Sequence, residues 1–189
     1  VDIFVKEYKK TWKDYHIDYT KFIRTTDDEH KKGVRKLVNT LLEKGDIYQG
    51  VYEGWYCTPC ETFVQGKLKK GGKGPACPLC SRETIYISET CYFFKLSAYQ
   101  DKLIAFFKEH PDFIYPKERL NEVISFVESG LKDLCVSRST VKWGIPFPGE
   151  EKQVIYVWAD ALTNYISAIG YGDPERAVEF AKWWPADLH

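Results

Sequence analysis

Four cysteines of this chain occur as two Cys-x-x-Cys pairs, Cys57-Thr-Pro-Cys60 and Cys77-Pro-Leu-Cys80, with sixteen residues between the pairs. This spacing is typical of a site in which four thiolates hold one zinc ion. Each tight turn offers two sulfur ligands, and Zn²⁺ prefers four ligands in a tetrahedron. The pairs therefore predict a structural zinc site that is closed to substrate, with a disulfide pair or a redox dithiol as the alternative.

Two further cysteines, Cys91 and Cys135, lie outside this pattern. Free cysteines are among the most frequently buried residues, and they pack as small apolar side chains. We therefore predict that both are buried residues of the core rather than nucleophiles. His30 lies in the first turn of a predicted helix without a partner for acid–base chemistry, and we assign it no catalytic role.

A second candidate site begins where an apolar, β-branched run ends, at Trp158. Four residues have the i, i+3, i+4, i+7 spacing of one helix face: Trp158, Ala161, Leu162 and Tyr165. In open α/β sheets, ligands bind at the carboxyl ends of the strands. An aromatic pair beside a small residue would form a slot for a modest apolar group, with the tyrosine hydroxyl as its polar contact. Packing in a core is the alternative interpretation.

The periodicity of the chain predicts the elements that must position these residues. A capping box, Thr26 with Glu29, precedes apolar residues at helical spacing, and this predicts a helix over 27–44. Residues 47–64 and 84–87 are rich in strand formers. Two helices are predicted over 97–110 and 117–133, and a further helix over 160–169, which Gly170 ends.

Two more strands are predicted, over 135–138 and 153–158. The second is a continuous apolar run, as expected of a strand buried on both faces. Alternating Pro and Gly exclude a helix over 143–149. Strands and helices at both ends, with a metal-binding segment between them, indicate an α/β fold interrupted by an insertion.

Composition limits the class of protein. The 189 residues include 27 Lys plus Arg and 27 Asp plus Glu, so the formal net charge is zero and a strongly basic surface is excluded. No apolar run approaches the roughly 20 residues that span a bilayer. Six cysteines in a chain of this length, four of them at metal-binding spacing, favour a reducing compartment. We therefore expect a cytoplasmic protein.

Several motifs occur in an order that resembles a known family. They are Phe22-Ile-Arg-Thr-Thr-Asp27, Gly54-Trp-Tyr-Cys-Thr-Pro-Cys60, Tyr92-Phe-Phe-Lys-Leu-Ser97, Val136-Ser-Arg138, Trp143-Gly-Ile-Pro146 and Tyr156-Val-Trp-Ala-Asp-Ala-Leu-Thr-Asn-Tyr165. Together they resemble the central part of the methionyl-tRNA synthetases, which are class I aminoacyl-tRNA synthetases. The resemblance covers essentially the whole chain.

The resemblance implies a Rossmann-like, nucleotide-binding parallel sheet interrupted by a connective-peptide insertion with a zinc knuckle. Residues 1–48 and 135–189 would belong to the catalytic domain, and residues 49–134 to the insertion. Trp158 would close over the methionine side chain, Ala161 and Leu162 would line the pocket, and the Tyr165 hydroxyl would face the thioether sulfur. Arg138 would act in amino-acid activation; an ordinary surface ion pair is the alternative for it.

The implied activity is that of a methionine–tRNA ligase, with methionine, ATP with Mg²⁺, and tRNA(Met) as substrates. The family's His-Ile-Gly-His and Lys-Met-Ser-Lys-Ser motifs, which handle ATP, do not occur in this sequence. We therefore expect an internal fragment that is inactive in isolation.

Three alternatives stay open at this point. The first is a zinc-dependent module that binds RNA through Lys67, Lys69, Lys70 and Lys73, which lie between the two cysteine pairs. The second is an interaction domain in which zinc only stabilises a docking surface. The third is a class I synthetase for a branched amino acid, although 86 residues over 49–134 leave little room for an editing domain.

Overall fold

The computed structural model describes residues 1–60, 62–64, 66 and 74–188, and for Phe63 it describes the backbone alone. The four lysines proposed for RNA contact lie outside these residues. The chain divides into two compact units, which we call the terminal unit (Val1–Val34 with Ala161–His189) and the central unit (Arg35–Asp160). No helix within the described ranges is long and apolar enough to cross a membrane.

The described residues contain α-helices and β-strands, which occur in groups along the chain. The helices are α1 (Asp2–Asp14), α2 (Asp28–Glu43), α3 (Gln100–Glu109), α4 (Lys117–Glu128), α5 (Val157–Leu162), α6 (Asn164–Ser167) and α7 (Ala177–Trp183). The strands are β1 (Ile47–Cys57), β2 (Thr62–Val64), β3 (Ile85–Phe94), β4 (Leu134–Cys135), β5 (Ser137–Arg138), β6 (Pro146–Phe147) and β7 (Glu150–Ile155). This content confirms an α/β protein.

Helix α2 confirms the helix predicted over 27–44 to within one residue at each end. Val34 and Val38, four residues apart on one face, are both buried. Gly45, with φ of +71°, follows the helix in the left-handed conformation that commonly ends helices.

In the terminal unit, α2 and α6 approach closely at Gly33. A Cβ atom on Gly33 would lie 2.8 Å from Cβ of Ser167 and 2.9 Å from the carbonyl oxygen of Tyr171, so no larger residue fits without a shift. One turn earlier, the fully buried His30 lies with Nδ1 2.9 Å from Oγ of Ser167. This contact satisfies a buried ring nitrogen, which agrees with a structural role for His30.

Arg176 joins three elements of the terminal unit. Its Nη1 lies 2.6 Å from the Glu29 carboxylate on α2, and its Nε lies 2.7 Å from that of Glu179 on α7. Its Nη2 donates to the carbonyl oxygen of Ala168 at 2.9 Å, just after α6. A planar guanidinium with several fixed donors suits such a three-way junction better than an ammonium group does.

The central unit contains a four-stranded antiparallel sheet in the order β2-β1-β3-β4. Its long strands β1 and β3 pair continuously from Ile47↔Phe94 to Tyr56↔Ile85. Strand β3 is longer than the predicted 84–87, because cross-strand pairing carries it through the polar residues Ser88 to Thr90.

Helices α3 and α4 pack on each other within the same unit through Phe107, Leu120 and Val127. A 3₁₀ turn, Leu96–Tyr99, precedes α3, so the predicted helix over 97–110 is confirmed in its main part. Helix α4 ends at Glu128 rather than at residue 133. Gly130, with φ of +101°, terminates it in a conformation that β-carbons disfavour.

Within the described residues, the strands do not form the parallel sheet that the family resemblance implied. All of the strand pairs in the described part of the chain are antiparallel, including those of the second sheet, whose order is β5-β7-β6. The reason lies in the short connections. Only Pro148 and Gly149 separate β6 from β7, whereas a parallel pair needs a crossover of about a dozen residues or more.

The prediction of a strand over 153–158 was wrong at its end. β7 ends at Ile155, and α5 begins at Val157, with the amide of Asp160 donating to the carbonyl oxygen of Tyr156 at 3.1 Å. Trp158 is therefore helical. The helix predicted over 160–169 is divided at Thr163 into α5 and α6, and Gly170, with φ of +105°, follows as predicted.

Candidate functional site

The four paired cysteines come together at one end of the ribbon formed by β1 and β3. Cys57 is the last residue of β1, and Cys60 follows in the turn before β2. Cys77 and Cys80 lie in the turn that precedes β3, which an isolated bridge between Ala76 and Glu83 closes. The antiparallel ribbon thus brings two turns together that lie sixteen residues apart in sequence.

The sulfur atoms of these cysteines all lie within 4.8 Å of one another, and Sγ of Cys57 is 3.5 Å from Sγ of Cys80. Four sulfurs at about 2.3 Å from one ion are about 3.8 Å apart in a tetrahedron. The side chains of Trp55 and Val64 pack against the group. Among the described residues, this is the one group of three or more His, Cys, Asp or Glu side chains close enough to hold a metal ion.

Backbone amides of the second turn favour a thiolate at Cys77. Burial opposes the charged form, but amides of Cys80 and Leu79 hydrogen-bond the sulfur, and the pKa of Cys77 is lowered to about 7. Ser81, with φ of +59°, takes the left-handed conformation, and its amide donates to the carbonyl oxygen of Cys77 at 2.8 Å. The turn is thus already shaped to present anionic sulfur, which is what a bound cation requires.

Arg138, the predicted activation residue, is buried in the central unit, with 8% of its surface exposed. Its Nη1 donates to Sγ of Cys135 at 2.9 Å and to the carbonyl oxygen of Ser137 at 3.1 Å. The guanidinium also lies over the Tyr156 ring. Burial opposes the charge, but Cys135 and Tyr156 favour it, and the pKa of Arg138 is raised. The alternative of a surface ion pair is therefore excluded.

Glu89 is a buried carboxylate near Arg138 that the sequence analysis missed. Its Oε2 accepts hydrogen bonds from the hydroxyl of Ser139 at 2.5 Å and from the amide of Ser139 at 3.4 Å. Its charge contributes to the raised pKa of Arg138. Its Oε1 is buried and has no hydrogen-bond partner in the structure. The polar run Ser88-Glu89-Thr90 within an apolar strand was the available signal.

The two remaining cysteines are buried, as predicted, but they also lie in contact. Sγ of Cys135, at the end of β4, lies 3.0 Å from Sγ of Cys91 on β3. Nothing in the spacing of these residues, 44 positions apart, indicated this contact. It arises because β3 and β4 pair as neighbours, with Phe93 opposite Cys135.

The residues predicted for an amino-acid pocket lie on two consecutive helices. Trp158, Ala161 and Leu162 belong to α5, and Tyr165 belongs to α6. Trp158 and Leu162 expose 61% and 59% of their surfaces, and Tyr165 exposes 53%. These three side chains are therefore not packed in a core of the described part of the chain. Within the terminal unit, Tyr165 also lines a cavity of about 340 Å³, with Ile169, Trp183, Trp184, Ala186 and Leu188.

Comparisons with known proteins agree on one family. The family model for class I tRNA synthetases (M) matches residues 1–86 and 70–189. Among the curated relatives, methionine–tRNA ligase of Thermotoga maritima is 49% identical over 189 residues and that of Clostridium acetobutylicum is 52% identical over 190 residues. Each alignment covers 100% of this chain, and the chain spans 30% and 29% of those two relatives, respectively.

Solved structures give the same result. The methionyl-tRNA synthetase of Mycobacterium tuberculosis in complex with methionyl-adenylate superposes with a TM-score of 0.82 at 39% identity, over 96% of this chain and 36% of that one. The ligand-free form of the same enzyme gives a TM-score of 0.80 at 40% identity, over 96% of this chain and 37% of that one. This chain belongs to the family of class I tRNA synthetases (M).

Proposed function

We propose that this chain is part of a methionine–tRNA ligase. The observation that carries the proposal is the identity of about half of all residues to relatives of that name, over the full length of the chain. The solved relative bound to methionyl-adenylate supports methionine and ATP as substrates. tRNA(Met) is the acceptor in this proposal, and the cytoplasm is the compartment.

The proposed reaction has two steps. The methionine carboxylate attacks the α-phosphate of ATP, which enters as its Mg²⁺ complex, and pyrophosphate leaves as methionyl-adenylate forms. A hydroxyl of the terminal tRNA ribose then takes the acyl group, and AMP leaves. Neither step needs a covalent intermediate with the protein, so catalysis rests on positioning and on stabilising the charge of the transferring groups.

Arg138 would stabilise charge on the methionine carboxylate or on the phosphate during activation. Its burial supports this role, because a charge held in place by Cys135, Ser137 and Tyr156 needs little reorganisation as the reaction proceeds. Where water is partly excluded, the electrostatic interaction between such a charge and a substrate is also stronger than it is in water.

The amino-acid pocket would be formed by the residues of α5 and α6. Trp158 would cover the methionine side chain, Ala161 and Leu162 would line it, and the Tyr165 hydroxyl would contact the thioether sulfur. The large exposed fraction of Trp158 supports this role, since an apolar ligand can reach the face of its ring. One methylene in such a pocket is worth about 1–3 kcal/mol in discrimination.

We propose further that the four-cysteine group holds Zn²⁺. Four sulfur donors at mutual distances near those of a tetrahedron fit this ion, which has no redox chemistry and favours thiolates. Because all four ligands come from the protein, the ion would hold Cys57 and Cys60 against Cys77 and Cys80 and take no part in the reaction.

The domain organisation is also part of the proposal. Residues 1–48 and 135–189 would belong to a catalytic domain, and residues 49–134 would be the connective peptide that carries the zinc knuckle. A Rossmann-like parallel sheet would be formed by the longer protein, together with the motifs that handle ATP. The isolated chain would then be inactive.

The test is amino-acid-dependent ATP–pyrophosphate exchange by the longer protein that contains this chain, with methionine compared with isoleucine, leucine and valine. Exchange with methionine alone is the expected result. Equal exchange with a branched amino acid would assign the chain to another synthetase of the same class, and no exchange with any of the four would overturn the proposed activity.

A further inference from the structure

Two thiols and one guanidinium form a buried cluster in the central unit that the proposed reaction does not explain. Sγ of Cys135 lies 3.0 Å from Sγ of Cys91 and 2.9 Å from Nη1 of Arg138. Cys91 is fully buried, and Cys135 is almost so. Sγ of Cys135 therefore accepts a hydrogen bond from Arg138 and lies next to the thiol of Cys91.

A disulfide between these two cysteines requires a small movement of the strands. Cys135 pairs with Phe93, so Cys91 occupies the diagonal position two residues away on the same face of the sheet. A disulfide is about 2.05 Å long, which requires the sulfurs to move about 1 Å closer. Strand β4 has only two residues and lies at the edge of its sheet, so a small shift there disturbs few hydrogen bonds.

Sγ of Cys135 also lies 3.2 Å from the carbonyl oxygen of Ser137, to which its protonated thiol donates; the thiolate forms when that proton is lost. Its hydrogen bond with Cys91 lowers the pKa of Cys135, burial raises it, and the charge of Arg138 lowers it, with the result at about 7. The same hydrogen bond, together with burial, raises the pKa of Cys91, which therefore stays protonated. The pair thus combines a thiolate, the form that reacts with oxidants, with a protonated second thiol in contact with it.

We propose that Cys135 and Cys91 are an oxidation site, at which hydrogen peroxide converts the two thiols into a disulfide and thereby removes the hydrogen bond between Arg138 and Cys135. The Cys135 thiolate attacks one peroxide oxygen; an S–O bond forms, the O–O bond breaks, and the departing hydroxide takes the proton of Cys91. The Cys91 thiolate then attacks the sulfenic sulfur; an S–S bond forms, the S–O bond breaks, and the second hydroxide takes a proton from solvent. Two thiols lose two electrons, and one peroxide becomes two waters.

The consequence concerns the orientation of Arg138. A disulfide sulfur carries no charge and is a poor acceptor, so oxidation removes the contact between Nη1 and Cys135. The contacts with Ser137 and Tyr156 and the charge of the nearby Glu89 remain, but the guanidinium loses the sulfur that accepts its Nη1 hydrogen bond. This part of the inference rests on the proposed function, because its readout is methionine activation. Formation of the disulfide does not depend on that function.

The test uses the longer protein with its metal bound, treated with hydrogen peroxide. Digestion without reductant, followed by mass spectrometry, is expected to yield a peptide that links Cys91 to Cys135. ATP–pyrophosphate exchange is expected to fall by about tenfold, the scale of one hydrogen bond to a charged group, and to return after reduction with dithiothreitol. Metal release, followed with a chromogenic chelator, separates this effect from oxidation of the four-cysteine group.

Cys91→Ser is the matched variant, and Cys91→Ala is a second one in case the serine variant is unstable. Either leaves Cys135 without a resolving thiol, so a sulfenic acid accumulates that dimedone traps, and no linked peptide forms. Absence of the linked peptide from the oxidised wild-type protein would overturn the site. A linked peptide with unchanged exchange would overturn the effect on Arg138. Lack of exchange before oxidation would instead count against the proposed activity.

Discussion

The guanidinium carbon of Arg138 lies 4.1 Å from the centroid of the Tyr156 ring, so the buried cation rests on an aromatic face. Tyr156 directly precedes α5, while Arg138 is the last residue of β5. A cation over an aromatic ring is stabilised by about 0.5–2 kcal/mol, more when it is desolvated. The residue that leads into the proposed methionine-binding helix therefore also positions the proposed activation residue.

Replacing Tyr156 tests this relationship. We expect Tyr156→Phe to keep the ring face and to change ATP–pyrophosphate exchange by less than about threefold, whereas Tyr156→Leu lowers it by about tenfold, the equivalent of about 1.4 kcal/mol. The measurement is kcat/KM for methionine in the longer protein. Equal losses in the two variants would show that the hydroxyl or the volume matters and that the ring face does not.

Trp158→Ala tests the amino-acid pocket. Loss of a large apolar contact is expected to raise KM for methionine by about tenfold to a hundredfold and to reduce discrimination against leucine, because burial of such a side chain is worth about 1.5–3 kcal/mol. Phe126→Ala is the control, since Phe126 is an exposed aromatic on α4 outside the proposed pocket. Unchanged methionine kinetics in Trp158→Ala would remove Trp158 from the pocket.

Removal of one sulfur ligand tests the metal site. We expect Cys60→Ser to lower the bound metal measured by atomic spectroscopy from one equivalent to a small fraction. The free energy of unfolding should fall by about 3 kcal/mol or more, since binding of a structural zinc ion contributes directly to folding. Cys91→Ala is the control because Cys91 lies outside the four-cysteine group. Full metal content in Cys60→Ser would contradict the proposed ligand set.

The buried thiol pair predicts a specific dependence of stability on pH. The pKa of Cys135 is about 7 in the folded protein, against 9.0 for an unperturbed thiol, so the folded state binds one proton fewer between these values. Stability therefore rises with pH from about 7 to about 9. Above 9 the unfolded state loses both protons while Cys91 keeps its own, so stability falls again.

Denaturant unfolding at a series of pH values measures this profile. Cys135→Ala is expected to reduce the rise between pH 7 and 9, because the variant lacks one of the two thiols, Cys77 and Cys135, whose pKa is about 7. The difference between wild type and variant isolates this pair from the other titrating groups. A rise that persists unchanged in Cys135→Ala would assign it to a different residue.

The three contacts of Arg176 predict a loss of stability in Arg176→Lys. An ammonium group cannot reach Glu29, Glu179 and the Ala168 carbonyl together, and we expect a loss of about 1–3 kcal/mol in thermal or denaturant unfolding. Arg119→Lys is the matched control. Its partner Glu122 is three residues away on an exposed helix face, and the expected change is about 0–1 kcal/mol. Equal effects would mean that the junction adds no stability.

Local patterns predicted the features that depend on neighbouring residues. The capping box and the spacing of Val34 and Val38 located α2 because a helix is determined mainly by residues within a few positions of one another. The paired cysteines were assigned to one group because metal coordination requires a particular spacing. Both predictions needed little knowledge of the rest of the chain.

The features that could not be predicted from the sequence depend on contacts between residues far apart in the chain. Cys91 meets Cys135 because β4 pairs with β3, and the buried Glu89 finds its partners in Ser139 and the charge of Arg138, about 50 positions away. The strand predicted through Trp158 ended three residues earlier, since the backbone turned into α5 at Val157. An apolar run does not distinguish a buried strand from the first turn of a helix.

The paired strands β1 and β3 have the two turns with the paired cysteines at one end. The residues near Arg138 lie along the length of the pair. Tyr52 on β1 is paired with Glu89 on β3, and its ring centroid lies 6.0 Å from the guanidinium carbon of Arg138. A slip of one residue between these strands would turn Tyr52 away from the face that carries Glu89, because side chains alternate along a strand. Cys57 and Cys80, joined through a common ion at the end of the ribbon, would forbid such a slip. The metal site would thus set the alignment of Tyr52, which lies about 17 Å from Cys57 along β1 at about 3.3 Å per residue.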